Sequence, residues 1–183
     1  MLFPEELCWP EGFRYEPDLL SDAEEHALVI EIQALPLKEF DFHGYKGKRR
    51  VMSFGWRYDH TAASLEPAAP LPRSLFGVRE AAAKFAGVAP ESFVHVLVTE
   101  YTPGTTIGWH RDKYVFGDVV GVSLASPCVF RFRKKDGDKW ERRSLDVAPR
   151  SFYLLRGPAR TDWEHSIRPV TELRYSITFR TLR

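Results

Sequence analysis

From Phe93 onward the chain is a succession of short β-rich runs separated by turn signals: Phe93 to Tyr101, Val119 to Ala125, Cys128 to Arg133, Ser151 to Leu155 and Arg174 to Thr181. Several short strands at this spacing predict a sandwich or a jelly roll. Asp136-Gly137, between Arg133 and Trp140, reads as a hairpin tip. Upstream the texture is different. Ser21-Asp22-Ala23-Glu24 matches a capping box, and Leu28, Ile32 and Leu35 recur at helical spacing before Pro36, which predicts a helix over 22–35. Leu75, Val78, Ala82 and Phe85 form a second helical stripe closed by Gly87 and Pro90, while the Ala- and Pro-rich residues 59–73 read as a surface loop. The expected class is α+β: amino-terminal helices over 1–92 and a β core over 93–183. At 183 residues one domain, 1–183, is the default.

Five Trp, seven Tyr and thirteen Phe in a chain that is 44% hydrophobic exclude disorder. No apolar run approaches the roughly 18 residues that span a bilayer, so a soluble protein with no membrane partner is expected. The start, Met1-Leu2-Phe3-Pro4-Glu5-Glu6, lacks the basic and apolar stretches of a secretory signal, and Cys8 and Cys128 form no CxxC framework. Both features predict a cytoplasmic protein, with a monomer as the default. The net charge of +1 conceals an asymmetry: residues 1–45 hold 2 Lys/Arg against 11 Asp/Glu, and residues 46–183 hold 24 against 14. A basic body is what phosphate binding needs, although a solvated surface would look the same.

The chemistry is concentrated in His110-Arg111-Asp112 and a distant His165. In extended chain, side chains at i and i+2 share a face, so the His110 imidazole and the Asp112 carboxylate can converge on one ion while Arg111 points away. With His165 they compose a 2-His-1-carboxylate facial triad, which holds Fe(II) on one side and leaves the other open. A lone HxD is weak evidence, and His26, His43, His60 and His95 read as ordinary surface or hydrogen-bonded histidines. The surroundings strengthen the signal: a strand ending in Tyr101, the turn Thr102-Pro103-Gly104, the HxD, β texture, His165, then Arg174-Tyr175-Ser176-Ile177-Thr178-Phe179-Arg180. A 2-oxoacid cosubstrate with a distal carboxylate needs a fixed cation, and arginine's planar fork grips carboxylates through two parallel bonds. Arg174, Ser176, Thr178 and Arg180 share one strand face, yet the two arginines lie roughly 20 Å apart on a straight strand. One of them is therefore expected to act indirectly, through water or another side chain, unless the strand bends.

On these motifs, the segment from about Phe93 to Arg183 resembles the AlkB-type Fe(II)/2-oxoglutarate dioxygenases. The resemblance implies a double-stranded β-helix (jelly-roll) core with amino-terminal helices and a nucleotide-recognition lid. It implies His110, Asp112 and His165 as catalytic metal ligands, with Tyr101, Arg174 and Arg180 at the 2-oxoglutarate positions. Arg174 would pair the distal carboxylate and Arg180 would support the end nearer the metal. Thr99 and Ser176 stand where family members often carry Asn, and Asn or Ser; both can still hydrogen-bond to the cosubstrate. The implied cofactors are Fe(II), 2-oxoglutarate and O2, and the implied reaction is oxidative demethylation of N-alkylated bases in DNA or RNA, releasing an aldehyde. Candidate substrate contacts lie in Lys46-Gly47-Lys48-Arg49-Arg50 and Phe54-Gly55-Trp56-Arg57-Tyr58, which mix cations with aromatics. From these come Arg49, Arg50, Phe54 and Tyr58, joined by Arg111 and Lys113 beside the HxD. Arg131, Arg133, Lys134 and Lys135 form a further basic stripe, as do Arg142 and Arg143. Two other readings compete: an oxygenase acting on a protein side chain or small molecule, and a jelly-roll binding module whose metal is structural or lost.

Overall fold

The computed structural model describes residues 8–42 and 45–183, in the order β1 (Phe13–Glu16), α1 (Asp22–Ala34), β2 (Lys38–Phe42), β3 (Tyr45–Asp59), β4 (Ser64–Pro67), α2 (Phe76–Ala86), β5 (His95–Tyr101), β6 (Ile107–His110), β7 (Phe116–Leu124), β8 (Cys128–Asp136), β9 (Lys139–Val147), β10 (Phe152–Leu155), α3 (Pro158–Thr161), β11 (Glu164–Ile167) and β12 (Arg174–Leu182). Two antiparallel sheets result. The larger runs β1-β10-β7-β12-β5-β3-β2, with β4 added on β3, and the smaller runs β6-β11-β8-β9. Together they form the jelly roll expected from the sequence. Among the described residues no helix is long and apolar enough to cross a membrane.

The period-2 alternation of the large sheet sends two different sets of side chains to its two faces. Val96 and Val98 of β5, Val120, Val122 and Leu124 of β7, Phe152 and Leu154 of β10, and Tyr175, Ile177 and Phe179 of β12 are buried with α1 and α2 in one core. The helices form for the reasons read from the sequence. Ser21 Oγ accepts from the Glu24 amide at 3.2 Å while Glu24 accepts from the Ser21 amide at 2.7 Å, and α2 stops at Gly87, whose φ of +68° suits glycine.

The opposite face turns toward the small sheet. Here Val119, Tyr153 and Leu155 pack with Phe130, Phe132, Ile167 and Trp163 in a second core, and β5 and β12 present polar groups instead. Arg174, Ser176, Thr178, Thr99 and His95 are all at least nine-tenths buried. Burying such groups costs free energy unless they are bonded, so this face belongs to a site. Gly121 fits the same picture: a Cβ there would stand 2.0 Å from Tyr153 Cζ, so glycine lets the tyrosine lie across the sheet.

The amino-terminal region differs from expectation. It supplies β1 to β4 as well as helices, and the segment read as a loop contains β4. β1 and β4 have four residues each, too few for alternation to register, and β3 fills both faces with mixed polar and apolar residues.

Candidate active site

His110 ends β6 and His165 lies in β11 directly opposite it in the antiparallel register. Cross-strand neighbours have Cβ atoms about 5 Å apart, and the two imidazoles meet with ring centroids 4.3 Å apart. The chain leaves β6 at His110, and Asp112 turns back so that one ligand atom from each of His110, Asp112 and His165 lies within 4.8 Å of the others. His110 Nδ1 is 2.9 Å from the Gly108 carbonyl, which can only accept, so Nδ1 carries the proton and Nε2 keeps its lone pair for a metal. His165 stacks on Phe130 at 5.4 Å with 10° between the planes.

Asp112 is held by Arg180, whose Nη2 donates to Oδ1 at 2.9 Å; among the described residues Oδ2 is buried with no hydrogen-bond partner. An orphaned carboxylate oxygen between two imidazoles is the donor set of a divalent cation of N/O preference, so the residues fit a ferrous ion. Burial pushes the Asp112 carboxyl up, but the charges of Arg180, His165 and His110 outweigh it and hold the group well below the usual carboxylate range. Burial, followed by the His110 charge, lowers His165 to about 3, which keeps its imidazole neutral and available. The loop behind Asp112 is fixed by Arg160, which donates to the Lys113 and Phe116 carbonyls.

Arg180 also donates through Nη1 to His95 Nδ1 at 3.2 Å, and burial, reinforced by the Arg180 charge, lowers His95 to about 3. Unfolded histidine titrates near 6.5, so below that pH the unfolded chain takes up protons that buried His95 and His165 refuse. Stability of the metal-free protein is then full above 6.5 and declines toward 3, each histidine contributing up to about 1.4 kcal/mol per pH unit. His95→Gln, which can still accept from Arg180, should lose about 2 to 3 kcal/mol less than the parent between pH 6.5 and 4.5 in urea titrations with chelator. Parallel losses in the two proteins would show that His95 titrates normally.

Arg174 is fully buried. Nε donates to Ser123 Oγ at 3.1 Å and the guanidinium lies 4.7 Å over the Tyr101 ring, yet among the described residues Nη1 and Nη2 are without partners. Burial works against its charge, and the Cys128 thiol and the Tyr101 and Tyr153 phenols nevertheless raise its pKa. Tyr101 lines the cavity with Arg174 behind its ring, and its hydroxyl is 3.3 Å from Ser176 Oγ. Thr99, next to Ser176 across the sheet, faces the cavity directly.

This cavity, of about 550 Å³, opens from the triad outward. Its floor is Tyr153, Val119, Leu155, Phe130 and Ile167, and its mouth carries Phe40, Tyr58, His60 and Trp109 with Lys48, Arg49, Arg111 and Lys113. Lys113 Nζ sits 5.2 Å over the Tyr58 ring, Arg49 4.2 Å over Phe40, and Arg111 is tied to the Asp162 carbonyl at 3.1 Å. Arg50 and Phe54, expected here, are elsewhere. In the middle of β3, residues 50, 52 and 54 face the helices: Phe54 is in the helix-side core with Met52 against it, and Arg50 makes a two-point ion pair with Glu100 at 2.7 and 2.9 Å. His43 and the side chain of Lys46 lie outside the described residues. Sequence reading missed His95, although its alternation with Leu97, Thr99 and Tyr101 places it on the same face. It also missed Tyr153, Arg160 and Ser123, which carry no local signal, and set aside His60.

A jelly roll whose paired strands bring two histidines and a carboxylate close together, with a buried cation in the same sheet face, has the donor set that a non-haem iron centre with a carboxylate cosubstrate needs. The model of the 2OG-Fe(II) oxygenase superfamily matches residues 12–180, and the chain belongs to that superfamily of dioxygenases, whose cofactors are Fe(II), 2-oxoglutarate and O2. It is 27% identical over 190 residues to the alkylated DNA repair protein ALKBH8 homolog of Arabidopsis thaliana, covering 91% of this chain and 53% of that protein. It is 31% identical over 155 residues to the mitochondrial alpha-ketoglutarate-dependent dioxygenase alkB homolog 7 of Bos taurus, covering 82% and 65%. An uncharacterized protein L905 of Acanthamoeba polyphaga mimivirus is 32% identical over 100 residues, covering 48% and 47%. The chain thus spans about half to two thirds of the length of these relatives. Its fold matches OsALKBH1 with a TM-score of 0.70 at 19% identity, covering 97% of this chain and 100% of that one. A Pseudomonas putida prolyl-4-hydroxylase matches with 0.68 at 12% identity, covering 94% and 93%.

Proposed function

We propose that this chain demethylates N-alkylated bases in DNA or RNA as a single-domain, monomeric, cytoplasmic dioxygenase, with Fe(II) on His110, Asp112 and His165. The observation that carries the reading is the lining of the cavity, where Phe40, Tyr58 and Trp109 stand with Lys48, Arg49, Arg111 and Lys113 in the same space as the triad, Arg49 over the Phe40 ring and Lys113 over the Tyr58 ring. Rings stack on bases and cations bind phosphates, and a base must leave its helix to enter a pocket this deep. The name of the Arabidopsis relative, an alkylated DNA repair protein, supports the nucleic-acid reading, and that of the bovine relative supports the dioxygenase.

When bound, the metal supplies oxidation: O2 and 2-oxoglutarate become succinate and CO2, and one oxygen atom is inserted into a C–H bond of the alkyl group. The protein does the rest. Arg174 takes the distal carboxylate on its unpaired Nη atoms, with Tyr101, Ser176 and Thr99 supplying hydroxyls around it. Arg180 keeps Asp112 ionised and oriented, and the floor of Tyr153, Val119, Leu155 and Phe130 excludes water. The hydroxylated N-methyl group then breaks at its N–C bond to give the free base and formaldehyde.

With Fe(II) and 2-oxoglutarate, an N-methylated single-stranded oligonucleotide should yield formaldehyde and succinate in equal amounts. Succinate without formaldehyde would remove the nucleic acid and favour a protein or small-molecule substrate, for which the likeness to a prolyl hydroxylase fold is the supporting observation.

A further inference from the structure

The outer face of the small sheet carries a cluster that the iron centre does not use. Alternation turns Phe130 and Phe132 of β8 into the core and Arg131 and Arg133 outward, beside Trp109 of β6. Arg133 lies 4.6 Å from the Trp109 ring and 4.3 Å from that of Trp140, and Arg131 lies 4.8 Å from Trp109. Arg142 stands directly opposite Arg133 in the register, and like charges in that position repel. Burial, Arg168 and Arg133 together lower the pKa of Arg131. Against these four arginines the same face offers Glu164, spent on Arg133 at 2.6 Å, and Asp146 at the far end of β9. Arg142, Arg168 and Trp140 are exposed.

A row of repelling cations interleaved with indole faces is costly for a bare surface and suited to a polyanion with flat rings. Trp109 also belongs to the cavity mouth, so the row continues from the iron centre across four strands, a span of about 15 Å at roughly 4.8 Å per strand. We propose that this face is a track for the single strand flanking the modified nucleotide, with Trp140 stacking a base and Arg142 and Arg168 holding phosphates. The inference rests on the nucleic-acid reading above and adds to it the path of the strand.

Binding is measured with the Mn(II)-loaded protein, using a twelve-nucleotide single strand with one N-methylated base at its centre and a trinucleotide carrying the same base. The longer strand should bind the parent more tightly. Trp140→Ala should cost it about tenfold. Arg142→Ala combined with Arg168→Ala should flatten its salt dependence by about 1.4 in log–log slope, at roughly 0.7 per phosphate contact. Trinucleotide affinity should stay the same in all three proteins. Equal affinity of the parent for both lengths, or variants that bind the long strand like the parent, would overturn the track while leaving the nucleic-acid reading intact. If neither oligonucleotide binds or is demethylated, both fall together.

Discussion

Arg174→Met should abolish 2-oxoglutarate binding and at the same time leave the cosubstrate-free protein as stable as the parent or more so. The guanidinium is completely buried, and its two terminal nitrogens have no partner among the described residues. A charge in that condition is a burden on the fold, and replacing buried ionic groups by apolar ones of similar volume is often neutral or stabilising by about 1 to 4 kcal/mol. The bond to Ser123 and the contact with Tyr101 offset part of the burden. The cosubstrate's distal carboxylate would turn that burden into a two-point, charge-assisted pair, and losing such a pair costs about 3 to 5 kcal/mol, or at least about a hundredfold in affinity. Thermal unfolding separates the effects. At a hundred times its dissociation constant, 2-oxoglutarate should stabilise the parent by about 2.7 kcal/mol, which is roughly 5 to 10 °C for a chain of this size. The variant should start at the same temperature or higher and gain nothing. A variant that is still stabilised by 2-oxoglutarate would remove Arg174 from the cosubstrate site.

Asp112→Asn should have the largest effect on turnover. The amide keeps the volume but cannot supply the negative charge that Arg180 meets in the parent and that a ferrous ion there would need. Groups that only orient a ligand commonly contribute 10- to 100-fold to metal affinity or activity, so a ligand itself should cost on the order of a thousandfold or more. Arg180→Met acts through Asp112 and should fall in the smaller range. Metal content after dialysis and succinate formation should decline together in both variants, in that order. Equal losses in the two would mean that Arg180 is more than a support for Asp112; undiminished activity in Asp112→Asn would remove it from the metal.

The parts legible in the sequence were those governed by local rules. The capping box at Ser21, the glycine stop at Gly87 and the alternation of β5, β7 and β12 are properties of a few consecutive residues. The HxD spacing is another, and even the partner histidine followed once the order of motifs was recognised. Of the two arginines of β12, Arg180 lines the cavity and donates to Asp112, a contact that strand spacing alone does not reveal. What escaped was set by register between distant strands. Arg50 and Arg49 are neighbours in a basic run, but one residue of offset sends the first to Glu100 on the helix side and the second into the cavity. Phe54 was misread for the same reason, as an aromatic near cations rather than a core residue. Arg160 and Ser123 become recognisable only when the loop they brace and the arginine they bond are in view.

His110, Asp112 and His165 are expected to hold one metal ion within reach of a dicarboxylic acid anchored on Arg174. A crystal structure of the protein with Mn(II) and 2-oxoglutarate under anaerobic conditions tests it most directly. One metal is expected on His110 Nε2, the Asp112 Oδ2 that lacks a partner among the described residues, and His165, with the distal carboxylate of the cosubstrate on the Arg174 guanidinium. A metal bound at other residues, or a cosubstrate whose distal carboxylate lies away from Arg174, would contradict it.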